Sequence, residues 1–308
     1  MLFSDQINDY ITHPPYKYER DRSAFFPSEA SVVLRSTGKV IGKCHRAIGY
    51  KWLNVPETNP TDARGYWTME VGKKIEEAYI EYTKRLGIWV ANNVKYYDNK
   101  HNISGETDIF INEITKINDT TGSAEEHKTI GVEIKTAYGR GFQNQITKFP
   151  KYENLLQVAL YLDYFKFPYW RLVYKSRDTM EDVEYKVSMS RDGENRILMI
   201  NDSIPVLSFY VDDIYARFNK LGEWLVKGEL PPRDYTYGYA PEETAQRLKD
   251  GDITKSKAAQ IKKEQCVDSD WTCLYCNYLD ECWKEKRAAL LANNKCDKIE
   301  QEAINAPA

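Results

Sequence analysis

Two groups of side chains in this sequence combine residue types and spacings that can support chemistry. The first is acidic and consists of Asp108, Glu133 and Lys135. The second is a run of three cysteines within residues 273–282, spaced C-x2-C-x5-C. Carboxylates beside an ammonium group suit a site for a hard divalent metal, whereas clustered thiolates bind softer metals. The fold must therefore bring each group together.

The acidic group lies on two segments that the sequence predicts to be strands. In the run TIGVEIKTA side chains alternate between faces, so Glu133 and Lys135 share one face and Ile134 points to the other. Asp108 is expected beside Glu133, on the polar edge of the sheet, if the preceding strand pairs with this one. Two such carboxylates repel each other unless a cation lies between them, and oxygen ligands favour Mg²⁺ or Mn²⁺. Such an ion polarises a phosphodiester and lowers the pKa of bound water, while Lys135 orients or activates the nucleophile.

Two flanking helices add polar residues to this group. Glu76 is a candidate further metal ligand, and Gly72, one turn earlier, would let its helix approach the sheet closely. Gln157 and Tyr161 share one face of a later helix, where they can hydrogen-bond a phosphate or the catalytic lysine. Each residue has a plainer interpretation when taken alone, since Glu-x-Lys is a common surface pair and a helical tyrosine commonly packs in a core.

A mixed sheet flanked by helices is predicted from the order of the elements. A helix is expected from Tyr66 to Leu86, three neighbouring strands at VKYYD, ISGETDIFINE and TIGVEIKTA, a helix after Pro150 that Pro168 ends, a hairpin formed by WRLVYKSR and VEYKVSMS, and a long helix over about 205–227. This order is typical of an α/β or α+β domain. The first forty residues are expected to be extended or short-helical, residues 231–265 a solvated helix or linker, and the tail after Cys296 frayed.

The three clustered cysteines need a fourth ligand to complete a metal site. Tetrahedral zinc and an iron-sulfur cluster both fit such thiolates, and six cysteines are few for a disulfide framework in a chain of 308 residues. Cys266 would give a local zinc knuckle, and Cys44 in KCHRAIGY is its rival. The sequence thus predicts three regions: residues 1–65 with an upstream cysteine, a core at 66–230, and a cysteine region at 231–308.

The composition restricts where the protein acts and how it meets a nucleic acid. No apolar run is long enough to span a membrane and no secretion signal is present, so a cytoplasmic protein of a bacterium or a virus-infected cell is expected. Because the net charge is −3, any contact with DNA must be local. The candidates for phosphate contact or base stacking are Arg46, Arg64, Lys73, Lys74, Trp52, Tyr66, Trp67 and Trp271.

The acidic residues and their spacing together resemble a known family. The series Gly72-x-x-x-Glu76, Gly105-Glu-x-Asp108, Val132-Glu133-Ile134-Lys135 and Gln157-x-x-x-Tyr161 is similar to the RecB-family branch of the PD-(D/E)xK nucleases. The resemblance implies a restriction-endonuclease-like core in which Asp108 and Glu133 hold the divalent metal, Lys135 is the catalytic lysine, and Gln157 with Tyr161 forms the trailing helix motif. Many relatives have histidine where Glu76 stands. A second Glu-x-Lys pair, Glu184 and Lys186, lacks the accompanying residues.

The cysteines resemble those of RecB-like nucleases of the AddB type and of the CRISPR adaptation nuclease. The resemblance implies that Cys44, Cys273, Cys276 and Cys282 hold a four-iron, four-sulfur cluster, in a subdomain joining the N- and C-terminal segments. Cys266 and Cys296 would then be free thiols. A zinc ion is the alternative cofactor.

The function implied is a metal-dependent DNA exonuclease in recombination or end processing, acting on single strands or free ends, with a preference for the five-prime terminus and recombination or CRISPR proteins as partners. A CRISPR spacer-adaptation nuclease, a non-catalytic DNA-binding protein with a structural zinc site, and a degenerate nuclease used as a scaffold are the alternatives.

Overall fold

The chain divides into two compact units in the computed structural model, which describes residues 3–13, 23–117, 124–264 and 266–292. Unit 1 comprises Met1–Lys43 and Asp62–Glu223, and unit 2 comprises Cys44–Thr61 and Trp224–Ala308. Unit 2 thus combines part of the expected N-terminal region with the expected C-terminal region.

A seven-stranded sheet with helices forms unit 1. Its strands are β3 (Trp89–Asp98), β4 (Ile103–Ile117), β5 (Ala124–Ala137), β6 (Trp170–Ser176), β7 (Asp182–Asp192), β8 (Asn195–Ile200) and β9 (Ile204–Val206), in that spatial order. Every neighbouring pair is antiparallel except β5 and β6, which are parallel. The helices are α1 (Phe3–Thr12), α3 (Ala63–Arg85), the single turn α4 (Gly139–Gly141), which runs into a π-helical turn (Phe142–Ile146), α5 (Tyr152–Phe165) and α6 (Val211–Val226). Strands β1 (Ser31–Val33) and β2 (Val40–Gly42) form a separate ribbon. The expected mixed sheet with flanking helices is confirmed.

Helix α3 covers one face of the sheet. The Asp62 side chain caps its first turn by accepting a hydrogen bond from the backbone N–H of Gly65 at 2.8 Å. Its apolar residues pack against alternate side chains of β4 and β5, namely Ile109, Ile111, Ile130, Val132 and Ile134. Because side chains alternate along a strand, the residues between these apolar positions point to the opposite face, where Glu133 and Lys135 lie.

Helix α5 lies on that opposite face and connects the two parallel strands. Its middle residues, from Leu155 to Leu162, are all buried. Tyr161 stacks on Trp170 of β6, and Asn154 accepts a hydrogen bond from Tyr174 at 2.8 Å. The helix ends at Phe165 because Lys166 adopts a left-handed conformation (φ 57°). It therefore stops before Pro168, where the sequence had placed its end.

One expectation for the later part of unit 1 is wrong, and two strands there were not anticipated. The long helix expected over residues 205–227 begins only at Val211, because Ile204–Val206 pairs with β8 as the last strand of the sheet. Strands β8 and β9 were not expected, since the turns around them contain Asn201 and Asp202 in left-handed conformations that strand alternation does not predict. The expected hairpin of β6 and β7 is confirmed.

Unit 2 is helical within the part of the chain that is described. Its helices are α2 (His45–Trp52), α7 (Pro241–Lys249), α8 (Lys255–Glu264), α9 (Trp271–Leu274) and α10 (Leu279–Ala292). Residues 231–265, expected to be a solvated helix or linker, contain two short helices whose side chains are mostly exposed. Residues after Cys296 lie outside the described part. None of the described helices has the length and apolar character needed to cross a bilayer.

Candidate functional site

Asp108 and Glu133 lie side by side on neighbouring strands of unit 1. The antiparallel register pairs Ile109 with Val132, so Asp108 and Glu133 adjoin the end of this ladder on their two strands. Asp108 Oδ2 accepts a hydrogen bond from the backbone N–H of Ile134 at 2.7 Å, which fixes its carboxylate against β5. The expected pairing of these two carboxylates is therefore found. They lie in the interior of the sheet, however, and not on the polar edge that the sequence suggested.

Glu133 is a buried carboxylate that contacts the ammonium of Lys135. Its side chain has no exposed surface, and Oε2 accepts no hydrogen bond from any described residue. Lys135 Nζ lies 2.5 Å from Oε1, so the two side chains form an ion pair. A buried carboxylate with a free oxygen is costly, and a cation is one group that would offset this cost.

Burial and neighbouring charges change the pKa values of Asp108 and Lys135. Burial raises the pKa of Asp108 well above its ordinary value, and the charges of Glu133 and Glu76 raise it further. Burial lowers the pKa of Lys135, but the carboxylates of Glu133 and Asp108 outweigh this effect, so that pKa is raised overall. Lys135 is consequently an ammonium at neutral pH, suited to stabilising negative charge.

Glu76 on α3 is half-buried and electrostatically linked to the same group. Its pKa is raised by burial first and by the charge of Glu133 second. Gly72 faces β5, but a methyl group added there would lie 3.7 Å from Thr136 Oγ1, which is an ordinary contact. The position therefore accepts alanine, and the close helix approach expected from glycine is not required.

Gln157 and Tyr161 hold the backbone of β4 next to Asp108. Gln157 Nε2 donates a hydrogen bond to the Tyr161 hydroxyl at 2.9 Å, and that hydroxyl donates to the carbonyl oxygen of Glu106 at 3.0 Å. Among the described residues neither side chain contacts Lys135, because the phenol donates to a main-chain carbonyl. The pair therefore positions the strand that carries Asp108. Sequence spacing predicted their shared face but gave no signal for this partner.

The second Glu-x-Lys pair is an ordinary surface feature. Glu184 forms an ion pair with Arg171 at 2.8 Å, and Lys186 forms one with Asp202 at 2.7 Å. The two residues are thus satisfied by separate partners and carry no buried carboxylate, in contrast with Glu133.

Four cysteines line a single cavity in unit 2. Cys44, Cys273, Cys276 and Cys282 surround a small cavity of about 20 Å³. Its other walls include Ala47, Tyr50, Leu279 and Trp283. All four are free cysteines, and the charge of Cys44 contributes to the raised pKa values of Cys273 and Cys276. The four cysteines that the resemblance implied thus line one cavity, but no three of them converge closely enough in this structure to ligate one ion.

The cysteine cavity has the donor chemistry of a soft-metal site. Burial raises the pKa of Cys44 and of Cys273, and it raises the pKa of Cys276 to about 11. Metal binding would have to displace these protons. Cys266 is disulfide-bonded, so its expected free thiol is wrong and it does not line the cavity. Cys296 lies outside the described residues.

Within the described ranges, no three histidine, cysteine, aspartate or glutamate side chains converge as ligands of one ion. In the acidic group, Lys135 already contacts one oxygen of Glu133. A divalent ion would therefore bind there with a shift of the lysine side chain.

Several residues expected to contact DNA instead bind other residues of the protein. Lys73 and Lys74 each form an ion pair with a glutamate three residues away on α3. Arg46 donates hydrogen bonds inside unit 2. Trp67 and Trp271 are exposed, at 47% and 67%. None of these residues is adjacent to Asp108 or Glu133 in the sequence, and the partners of Lys73, Lys74 and Arg46 do not include either carboxylate.

Comparison with known proteins gives little guidance. No protein-family model matches the chain, and no curated protein matches it. Among solved structures, one titled "Crystal structure of SSO0001" is similar over 74% of this chain and 87% of its own, at 15% identity and a TM-score of 0.41. A likeness of this size carries no argument about fold or activity.

Proposed function

We propose that unit 1 is a divalent-metal-dependent deoxyribonuclease with a restriction-endonuclease-like core of the PD-(D/E)xK type. The observation that carries the proposal is Glu133, which is fully buried, contacts Lys135 through one oxygen and lies close enough to a second buried carboxylate, Asp108, to raise the pKa of that group. A structural role alone would leave two repelling carboxylates buried at a cost in stability. Binding of a hard cation offsets that cost.

Each residue of the group has a defined task in such an enzyme. Asp108 and Glu133 would hold Mg²⁺ or Mn²⁺, with Glu76 as a further ligand, and the bound ion would polarise the scissile phosphate and lower the pKa of a water molecule. Lys135 keeps its proton and stabilises negative charge on the phosphate or orients the attacking water. Tyr161 keeps β4 in place through the Glu106 carbonyl.

The substrate proposed is DNA with free ends or single-stranded character, cut during recombination or end processing. The resemblance to RecB-like nucleases supports this choice, and the net charge of −3 agrees with local contacts rather than attraction by the whole surface. Trimming of CRISPR spacers by the same chemistry is the alternative pathway.

We further propose that unit 2 holds a four-iron, four-sulfur cluster on Cys44, Cys273, Cys276 and Cys282. The four free thiols around one cavity support it. Such a group would join chain segments separated by more than two hundred residues, which stabilises the folded state by restricting the unfolded chain. One zinc ion in the same place would instead favour a non-catalytic DNA-binding protein.

Digestion of end-labelled DNA tests the nuclease directly. The native chain should cut single-stranded DNA with Mg²⁺ or Mn²⁺ and not with chelator, and Glu133→Gln should lose this cutting by at least about a hundredfold, the scale of a lost electrostatic contribution to the transition state. Glu184→Gln is the matched control, because it changes the other Glu-x-Lys pair, and it should cut like the native chain. Equal cutting by Glu133→Gln and the native chain would remove the proposed chemistry.

A further inference from the structure

A cleft in unit 1 lies next to the acidic group and is not used by the chemistry proposed above. It has a volume of about 570 Å³, within the range of roughly 300 to 1,000 Å³ typical of binding pockets. One wall is the segment of residues 23–28, and another is the hairpin of β3 and β4. The motif residues Gln157 and Tyr161 also line it, together with Glu106, two residues before Asp108. The cleft is thus bordered by β4, the strand that also carries Asp108.

Lys95 is the one cationic side chain among the described residues that line this cleft. It is exposed and lies directly opposite Glu106 in the antiparallel register. Opposed residues of unlike charge would ordinarily pair across the strands. Lys95 nevertheless forms no ion pair with any described residue, so its charge is available to a ligand in the cleft.

The local geometry of β3 explains why this lysine is left without a partner. Asn93 adopts a left-handed conformation (φ 53°), and its Nδ2 donates a hydrogen bond to Glu106 Oε1 at 2.8 Å. The side-chain oxygen of Asn93 accepts a hydrogen bond from Asn92, which orients the amide. The Glu106 carboxylate is therefore oriented by a neutral amide, and Lys95 forms no ion pair with it.

An aromatic ring lies on the same strand, two residues further along. Tyr97 lines the cleft and is 44% exposed, and its hydroxyl donates to Asn102 Oδ1 at 2.5 Å, which fixes the ring. Lys95 and Tyr97 are alternate residues, so they present a cation and a ring on one side of the strand. A cation for the phosphate and a ring for the base are the two features with which proteins bind single-stranded nucleic acid.

We propose that this cleft binds the single strand that leads into the acidic group, with Lys95 contacting a backbone phosphate and Tyr97 stacking on a base. The proposal rests on the proposed nuclease function and names its substrate as one strand rather than a duplex. A cavity of this size encloses a few nucleotides of one strand, whereas a duplex is recognised on its outer grooves.

Binding without cleavage tests this inference separately from the nuclease activity. The affinity of a fluorescent single-stranded oligonucleotide is measured by anisotropy in chelator, over a series of salt concentrations. Lys95→Ala should bind more weakly than the native chain, and its plot of log affinity against log salt should be shallower by about 0.7, the contribution of one phosphate contact on a single strand. Lys100→Ala is the matched control, since Lys100 is exposed on the same hairpin but does not line the cleft.

The aromatic contact has its own pair of variants. Tyr97→Leu should weaken binding by about 5- to 150-fold, the effect of losing one base stack worth roughly 1–3 kcal/mol, whereas Tyr97→Phe should keep most of the affinity. Circular dichroism of each variant identifies any that fails to fold, and Lys95→Gln then replaces Lys95→Ala.

Several results would overturn the proposal. These are an unchanged salt slope in Lys95→Ala, equal weakening by Lys100→Ala, no binding of the oligonucleotide by the native chain, and equal Lys95-dependent affinity for a duplex. A chain that binds through Lys95 but never cuts DNA would refute the nuclease while supporting the cleft. A chain that cuts DNA but binds it with the same affinity after Lys95→Ala would support the nuclease and refute the cleft.

Discussion

Glu133 combines two properties that are rarely found together in a structural residue. Its side chain is completely buried, and Oε2 has no hydrogen bond within the described part of the chain, while Oε1 contacts Lys135. Buried polar groups in folded proteins are nearly always satisfied, and those that are not commonly mark a binding or catalytic position. The acidic group is for this reason a better candidate site than any of the exposed ion pairs on the same sheet.

Metal binding at Glu133 should appear as a gain in thermal stability. A ligand that binds only the folded state at a hundred times its dissociation constant contributes about 2.7 kcal/mol. Addition of Mn²⁺ to metal-free protein should therefore raise the melting temperature of the native chain and of Glu184→Gln, but not that of Glu133→Gln. Calorimetry checks this, and an equal rise in all three proteins would place the ion elsewhere.

The alternation of side chains along the strands predicts one part of this site and not another. The spacing of Glu133 and Lys135 fixed their common face, and the neighbouring strand brought Asp108 beside them. Alternation does not encode what packs over that face, so the burial of Glu133 beneath α5 could not be predicted. Nor could the bond from Tyr161 to the Glu106 carbonyl, because a main-chain acceptor leaves no trace in residue type.

At the level of elements, a network of charged residues ties α5 to β8 and α6. Asp163 on α5 receives Arg196 Nη1 at 2.6 Å and Lys166 Nζ at 2.5 Å, and it accepts a hydrogen bond from the Tyr215 hydroxyl at 2.8 Å. Arg196 also forms an ion pair with Asp212. Burial opposes ionisation of Asp163, but the hydrogen bonds from Lys166 and Arg196 outweigh it, so its pKa is lowered.

Asp163→Asn should destabilise unit 1 at neutral pH. The variant leaves charged partners unsatisfied, which costs about 1–3 kcal/mol. A lowered folded-state pKa gives stability that is present above the ordinary carboxyl value of 3.8 and lost as the pH falls through the lowered one. The difference in unfolding free energy from the native chain should therefore shrink as the solution is acidified below that value.

Urea unfolding over a pH series measures this effect. Glu194→Gln, on the exposed turn between β7 and β8, is the control and should match the native chain throughout. A difference between Asp163→Asn and the native chain that stayed constant in acid would show that packing, not charge, holds these elements together.

Three of the elements that the sequence did not predict share a physical cause. Helix α3, strands β3 to β5, helix α5 and the hairpin of β6 and β7 carry long periodic patterns, and all were expected. Strands β1, β2 and β9 have three residues each, too few for a period to be recognised. Their pairing partners, rather than their own composition, determine that they are strands.

At the scale of the whole molecule, each candidate centre is contained within one unit. Asp108, Glu133 and Lys135 belong to unit 1, whereas the four free cysteines belong to unit 2. Cys44 is the first residue of an eighteen-residue segment, Cys44–Thr61, which belongs to unit 2 and precedes the seven-stranded sheet in the sequence. A group bound by Cys44 and the three later cysteines would therefore join the two chain segments of unit 2. A substitution can accordingly remove a residue of the acidic group without changing the cysteines, or a cysteine without changing the acidic group.

Iron and sulfide analysis of five proteins tests that separation and the identity of the ligands. Cys44→Ser and Cys282→Ser should be colourless and lack iron, because each removes one of the four thiolates around the cavity. Cys266→Ser should keep its colour, since Cys266 is disulfide-bonded and does not line the cavity. Glu133→Gln should hold as much iron as the native chain, because its side chain belongs to unit 1. One zinc per chain in place of iron would refute the cluster, and loss of iron in Cys266→Ser with retention in Cys44→Ser would assign the fourth ligand to the local cysteine.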